Sequence, residues 1–144
     1  MVGNFIGKIK IYIDGCSKGN PGHAACGILI LDENDDLLGK HSDYFGEKTN
    51  QEAEYLALLK ALEVAPQYCT RKIEIYSDSQ LVVKQMNRQF RVKAKHLLGI
   101  HTQVRQKCLV FEKVEVIQVP RDNPYIKEAD KLANSEIQRK IMGK

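Results

Sequence analysis

Apolar and polar residues alternate along Lys8–Asp14 (KIKIYID), which sets Ile9, Ile11 and Ile13 on one side. A period of two marks a strand with one buried face. Cys26–Leu31 (CGILIL) is a short continuous apolar run and predicts a second strand. The polar stretch Asp32–Asp36 (DENDD) supplies turn residues. Leu37–Phe45 then returns as a third strand, so the first three form an antiparallel meander. Thr49–Glu52 has the spacing of a capping box, and Ala53–Ala65 is rich in Ala, Leu and Glu. Together they predict a helix that Pro66 closes. Lys72–Tyr76 (KIEIY) alternates as a fourth strand. Ser77 or Ser79 caps a helix reaching about Gln89, a further helix covers Ala94–Leu109, and Val114–Val119 (VEVIQV) is a fifth strand. Asn123-Pro124 pairs an N-cap with a proline at the first helical position, and this last helix runs to about Ile141. The order βββ-α-β-α-α-β-α predicts an α/β domain, a mixed sheet with helices covering its faces.

The 144 residues suit a single domain spanning 1–144, with no linker, repeat or low-complexity segment to divide it. Apolar residues at 43% and charged residues at 28% are ordinary for a globular chain. No apolar run is long enough to span a membrane, and Met1–Lys10 has no apolar core of the kind a secretory signal needs. Cys16, Cys26, Cys69 and Cys108 lie far apart without a C-x-x-C pair. They read as free thiols in a reducing cytoplasm rather than as zinc ligands or disulfides. The net charge of +4 is mild but unevenly spread. Ser79–Phe111 contains no Asp or Glu, while Lys84, Arg88, Arg91, Lys93, Lys95, Arg105 and Lys107 are all basic. The rest of the chain is therefore at −3. Such segregation suits a polyanion on one face and cations on another, although a solvated basic helix face has the same appearance.

Candidate chemistry falls at the ends of the apolar elements. Asp14 ends the first strand and opens DGCSKGNPG, whose glycine spacing fits neither a Rossmann loop nor a P-loop. Glu54 sits in TNQEAEY two residues from Glu52, so the two point to different faces and burial alone does not choose between them. Asp78 follows the fourth strand in YSDSQ, at the kind of strand-to-helix junction where functional groups gather. Asp130 lies in EADKLAN beside the small apolar stripe of the last helix. Carboxylates from separate elements that meet must be protonated or neutralised. Hard divalent cations take oxygen ligands, and a pair of them supports phosphodiester cleavage. An acidic centre beside a basic flank is the charge plan of a metal-dependent nuclease.

DGCSKGNPG, TNQEAEY, YSDSQ and EADKLAN, in this order across residues 8 to about 137, resemble the successive motifs of type 1 ribonuclease H. The resemblance implies the ribonuclease H-like fold, a five-stranded mixed sheet with three antiparallel strands followed by two parallel ones. It implies an endonuclease that cuts the RNA strand of RNA–DNA hybrids with two Mg²⁺ or Mn²⁺ ions, leaving 5′-phosphate and 3′-hydroxyl ends. Carried over by motif, Asp14, Glu54, Asp78 and Asp130 match the catalytic, metal-binding carboxylates. Asn20, Asn50 and Gln80 match contacts to the hybrid minor groove, and Gln51 is placed with them. Amides both donate and accept, as 2′-hydroxyls and base edges require. Cys16 and Ser17 fall where the chain would approach the RNA strand, and Lys93 and Lys95 are assigned to phosphates. Many members carry a histidine before the last helix; the loop QVPRDNPYIKEAD has none. Gln118 and Arg121 are the candidates to replace it, as in archaeal-type members with V-P-R, whereas His96 and His101 do not match. Arg88–Lys95 is short for the family's basic protrusion, and a separate hybrid-binding module is not expected. The expected partner is the hybrid alone, bound by a monomer. The competing readings are a catalytically idle hybrid-binding module or a piece of a larger replicative polyprotein, and a different nuclease on the same fold. Intact carboxylates argue against the first, and the GNPG and TNQ amides against the second.

Overall fold

The computed structural model describes residues 6–89 and 91–143. Met1–Phe5, half of the stretch read for a secretory signal, lie outside the described residues, as do Phe90 and Lys144. Five strands, β1 (Lys8–Ser17), β2 (Gly22–Leu31), β3 (Leu37–Lys48), β4 (Lys72–Ser77) and β5 (Lys113–Gln118), form one sheet in the order β3-β2-β1-β4-β5. β1, β2 and β3 pair antiparallel, while β4 runs parallel to β1 and β5 parallel to β4. The helices are α1 (Asn50–Val64), α2 (Gln80–Met86), α3 (Lys95–Cys108) and α4 (Pro124–Met142). This is the mixed α/β sheet of the ribonuclease H-like fold. No helix among the described residues is long and apolar enough to cross a membrane.

The period-two pattern of β1 sorts its side chains between two cores. Ile9, Ile11 and Ile13 are buried with Tyr55, Leu58 and Leu62 of α1 and Leu97 and Val104 of α3. Tyr12 faces the other way and packs with Leu29, Leu31 and Ile126 under α4. β2 lies between α1 and α4, and Ala24 to Leu31 are buried throughout, which explains the unbroken apolar run. Two glycines let helices reach the backbone of the sheet. A Cβ on Gly27 would lie 1.9 Å from the Ala129 carbonyl oxygen of α4, and one on Gly15 would lie 2.2 Å from that of Ala53 in α1.

β2 starts at Gly22 rather than Cys26 and β3 runs to Lys48 rather than Phe45, and three other boundaries near the site differ from the sequence expectation. Asp14 does not end β1. The parallel pairing with β4 stops at Tyr12↔Tyr76, but the antiparallel pairing with β2 continues to Ser17↔Ala24. The carboxylate therefore projects just past the point where β1 and β4 part. α1 starts at Asn50 rather than Ala53, because the Thr49 side chain accepts from the Glu52 N–H while Glu52 Oε1 accepts from the Thr49 N–H. α2 stops at Met86, short of Gln89. Arg88 takes φ 62°, and the N–H groups of Arg88 and Gln89 return to the carbonyls of Gln85 and Lys84, closing the helix by a Schellman turn.

Candidate active site

Four elements converge where β1 and β4 part. β1 supplies Asp14, the first turns of α1 supply Glu54, the β4–α2 junction supplies Asp78, and α4 supplies Asp130. All four line one open cleft of ≈ 540 Å³, together with Gly15, Cys16, Ser17, Asn50, Arg121, Ile126 and Lys127. One oxygen from each of Asp14, Glu54 and Asp78 lies within 4.8 Å of the others. Asp130 is more exposed and reaches the cluster through a hydrogen bond with Asp14. Glu52 is consumed by the capping box, which leaves Glu54 as the acid of this turn facing the cleft. Glu54 Oε1 accepts from the Gly15 N–H at 3.1 Å, so α1 is pinned to β1 beside Asp14.

The cluster is electrostatically strained without cations. Asp14 is 8% exposed. Burial, the hydrogen bond with Asp130 and the charges of Glu54, Asp78 and Asp130 push its carboxyl up to about 9. Burial and the Asp78 charge raise Glu54 to about 7, against the hydrogen bonds from Gly15 and Ser79 and the positive Arg121. Convergent hard oxygen donors that hold protons because they are buried and repel one another fit a divalent cation site. Cys16 lines the same cleft, but burial and the Asp14 charge push its thiol up to about 11, so it is not a nucleophile.

Arg121 is the basic group that answers the acids. Its side chain is 93% exposed, and its Nε lies 3.5 Å from Asp78 Oδ2. Gln118, the other candidate of that loop, ends β5, is exposed and does not line the cleft. None of the four histidines lines it either. His23 and His41 are bonded to the hydroxyls of Tyr44 and Tyr68, and His96 and His101 belong to α3. Asn50 lines the cleft, and its N–H donates to Asn20 Oδ1 at 2.9 Å, joining the two amide turns. Gln51 and Gln80 are exposed at the starts of α1 and α2, outside the cleft lining. Lys93 is exposed in the connection between α2 and α3, beside a shallow depression shared with Leu81, Gln89 and Arg91, and Lys95 is exposed at the start of α3. Lys127 was missed. It stands one turn before Asp130, and the i, i+3 spacing on an acid-bearing helix face was the signal for it.

A sheet in this order with an acid cleft at the β1–β4 divide defines a ribonuclease H-like domain. A family model described as "Reverse transcriptase-like" matches residues 12–136, and the chain belongs to this family. Ribonuclease HI of Halobacterium salinarum is 34% identical over 131 residues, 91% of this chain and 65% of that protein. A bifunctional protein of Mycobacterium tuberculosis is 34% identical over 129 residues, 88% of this chain and 35% of that protein. The chain thus spans about two thirds or less of these curated relatives. The crystal structure of RNase H1 from Halobacterium salinarum superposes with a TM-score of 0.86 at 34% identity, covering 92% of this chain and 98% of that one. LC11-RNase H1, solved in complex with RNA/DNA hybrid, superposes with a TM-score of 0.87 at 33% identity, covering 92% and 99%.

Proposed function

We propose that this domain is an endoribonuclease that hydrolyses the RNA strand of RNA–DNA hybrids, with two Mg²⁺ or Mn²⁺ ions per site, leaving 5′-phosphate and 3′-hydroxyl ends. The observation that carries the reading is the convergence of Asp14, Glu54, Asp78 and Asp130 on one cleft that also holds Asn50 and Arg121. The similarity to LC11-RNase H1, solved with a hybrid, supports the substrate class. Asp14, Glu54 and Asp78 are the ligands best placed to hold cations, and Asp130 completes the set from α4. Bound divalent cations would supply Lewis acidity toward the attacking water and the leaving oxygen. The chain's own residues do the rest. Burial and the packing of α1 and α4 on β1 fix the carboxylates before substrate arrives. Asn20, Asn50, Gln51 and Gln80 present amides to the minor groove, where 2′-hydroxyls distinguish RNA from DNA. Arg121 neutralises a phosphate at the cleft mouth, and Lys93 and Lys95 hold phosphates further along the duplex.

The end groups test the chemistry. Attack by water leaves 3′-hydroxyl RNA fragments that a polymerase extends without phosphatase treatment. Fragments ending in 2′,3′-cyclic phosphate would mean attack by the RNA's own 2′-hydroxyl and would overturn the reading.

Arg121 cannot act as a general base, because a guanidinium stays protonated throughout the working pH range. Arg121→Ala is therefore expected to lower turnover roughly tenfold, the loss of one charge-assisted contact, and to leave the shape of the pH–rate profile unchanged. A new or missing inflection between about pH 5 and 8 in this variant would place a titrating group in the role given to Arg121. Lys93→Ala with Lys95→Ala is expected to raise KM for hybrid and to reduce the salt slope of binding by roughly one per lysine. An unchanged slope would return both lysines to ordinary solvated surface.

A further inference from the structure

We propose that Gln85 is a positioning residue for hybrid binding: its buried amide ties the basic connection between α2 and α3 to α1, directly behind Glu54. The side chain is 6% exposed and lies on the inner face of α2 among Val82, Val83 and Met86. A buried amide costs free energy unless it is bonded, and this one is bonded at both ends. Its Oε1 accepts from the hydroxyl of fully buried Tyr55 at 2.5 Å, and its Nε2 donates to the Arg91 carbonyl at 3.3 Å.

Tyr55 follows Glu54 on α1, so the two side chains diverge by about 100° around the helix, one toward the cleft and one into the core. The chain of contacts therefore runs from the acid cleft through α1 and Gln85 to the segment carrying Arg88, Arg91 and Lys93. That segment has no regular hydrogen-bonded structure from Arg91 to Ala94. Among its described residues, Val92 and Ala94 pack against the core, and backbone bonds hold its two ends, Arg88 and Gln89 to the carbonyls of α2 and the Ala94 carbonyl to the Leu97 N–H. Apolar contacts hold a segment down but do not fix its position along the surface, whereas a directed hydrogen bond does. The surroundings keep Gln85 itself in place. Arg105 of α3 donates to the carbonyls of Gln85 and Met86 at 3.4 and 2.8 Å, and His101 meets the Tyr55 ring edge-on at 6.0 Å. An apolar residue at 85 would satisfy packing. It would neither accept from Tyr55 nor donate to Arg91, whereas the amide does both.

The inference rests on the reading that this basic segment binds hybrid phosphates, and the test separates the two. Gln85→Met keeps the volume and removes both hydrogen bonds. It is expected to raise KM for hybrid roughly fivefold with kcat within about twofold of wild type, the pattern of lost uniform binding. Adding Lys93→Ala to Gln85→Met should then cost less than Lys93→Ala costs alone, because Gln85 acts through the segment that carries Lys93. Trypsin should nick the variant faster after Arg91 or Lys93, well below its melting temperature. An unchanged KM and unchanged nicking with a lowered Tm would show a purely structural amide and overturn the proposal. So would a fall in kcat at constant KM. If Gln85→Met does not fold, Tyr55→Phe, which fits the same cavity, is read instead. A KM raised about twofold supports the proposal, and no change overturns it. If wild type does not bind hybrid, the functional reading fails, and the trypsin comparison still decides whether Gln85 anchors the segment.

Discussion

Asp14→Asn and Asp78→Asn are each expected to lower hybrid cleavage by roughly a thousandfold or more, a loss of about 4 kcal/mol in transition-state stabilisation. At the same time Asp14→Asn should make the metal-free protein more heat-stable. Asparagine keeps the shape of the ligand but carries no charge for a cation. The gain in stability follows from the same cluster. The Asp14 carboxyl rises from its ordinary 3.8 to about 9 and Glu54 from 4.5 to about 7. Between those values the folded state keeps protons that the unfolded chain has released. Rising pH therefore favours unfolding: stability is full below about pH 4 and is lost progressively toward pH 9. An asparagine at 14 has no proton to lose, and avoiding a charge that is both buried and repelled there is worth on the order of 1–3 kcal/mol near neutral pH. Thermal melts in chelator at pH 5 and pH 8 check this. Wild type should melt lower at pH 8, and Asp14→Asn should show a smaller drop. Equal drops, or activity retained by either variant, would contradict the assignment.

Gly27→Ala is the substitution expected to damage the fold most, by about 3 kcal/mol. Its Cβ would lie 1.9 Å from the Ala129 carbonyl oxygen and 2.8 Å from Leu132 Cβ, so α4 must move away from β2. Gly27 is the cross-strand partner of Asp14, and Ala129 precedes Asp130, so the same displacement opens the cleft between two of its acids. Chemical denaturation should show the loss of stability, and cleavage measured under conditions where the variant is folded should fall with it. Wild-type stability in this variant would mean that α4 does not sit on the sheet as described.

What could be read from the residues was local. The alternation of Lys8–Asp14 and Lys72–Tyr76, the Thr49–Glu52 capping box and the Asn123-Pro124 start each depend on neighbours within a turn or two, and the structure bears all of them out. The strand order was not legible, since β1 pairs with β4 across some sixty residues and no sequence period records that. The continuation of β1 past Asp14 was hidden for a related reason. Gly15, Cys16 and Ser17 have weak strand preference and are held extended by Ala24, Ala25 and Cys26 of β2. Glu54 could not be chosen over Glu52 by burial; the capping box decides it, because one acid of the turn is already committed to the helix end. The motifs pointed to the four carboxylates, but their convergence on one cleft depends on helix contacts at Gly15 and Gly27 that the sequence does not display. Gln85 falls inside the helix expected to reach about Gln89 and in no motif, and its two partners lie on α1 and in the following loop, where no local pattern points to them.

The most direct measurement is cleavage of one labelled RNA sequence presented as an RNA–DNA hybrid and as duplex RNA, beside duplex DNA of the same sequence, with Mg²⁺, with Mn²⁺ and with chelator. The account predicts that the RNA strand of the hybrid is cut internally with either metal, that duplex DNA stays intact, and that chelator stops the reaction. A hybrid left uncut with both metals, or duplex DNA cut as fast as the hybrid, would contradict it.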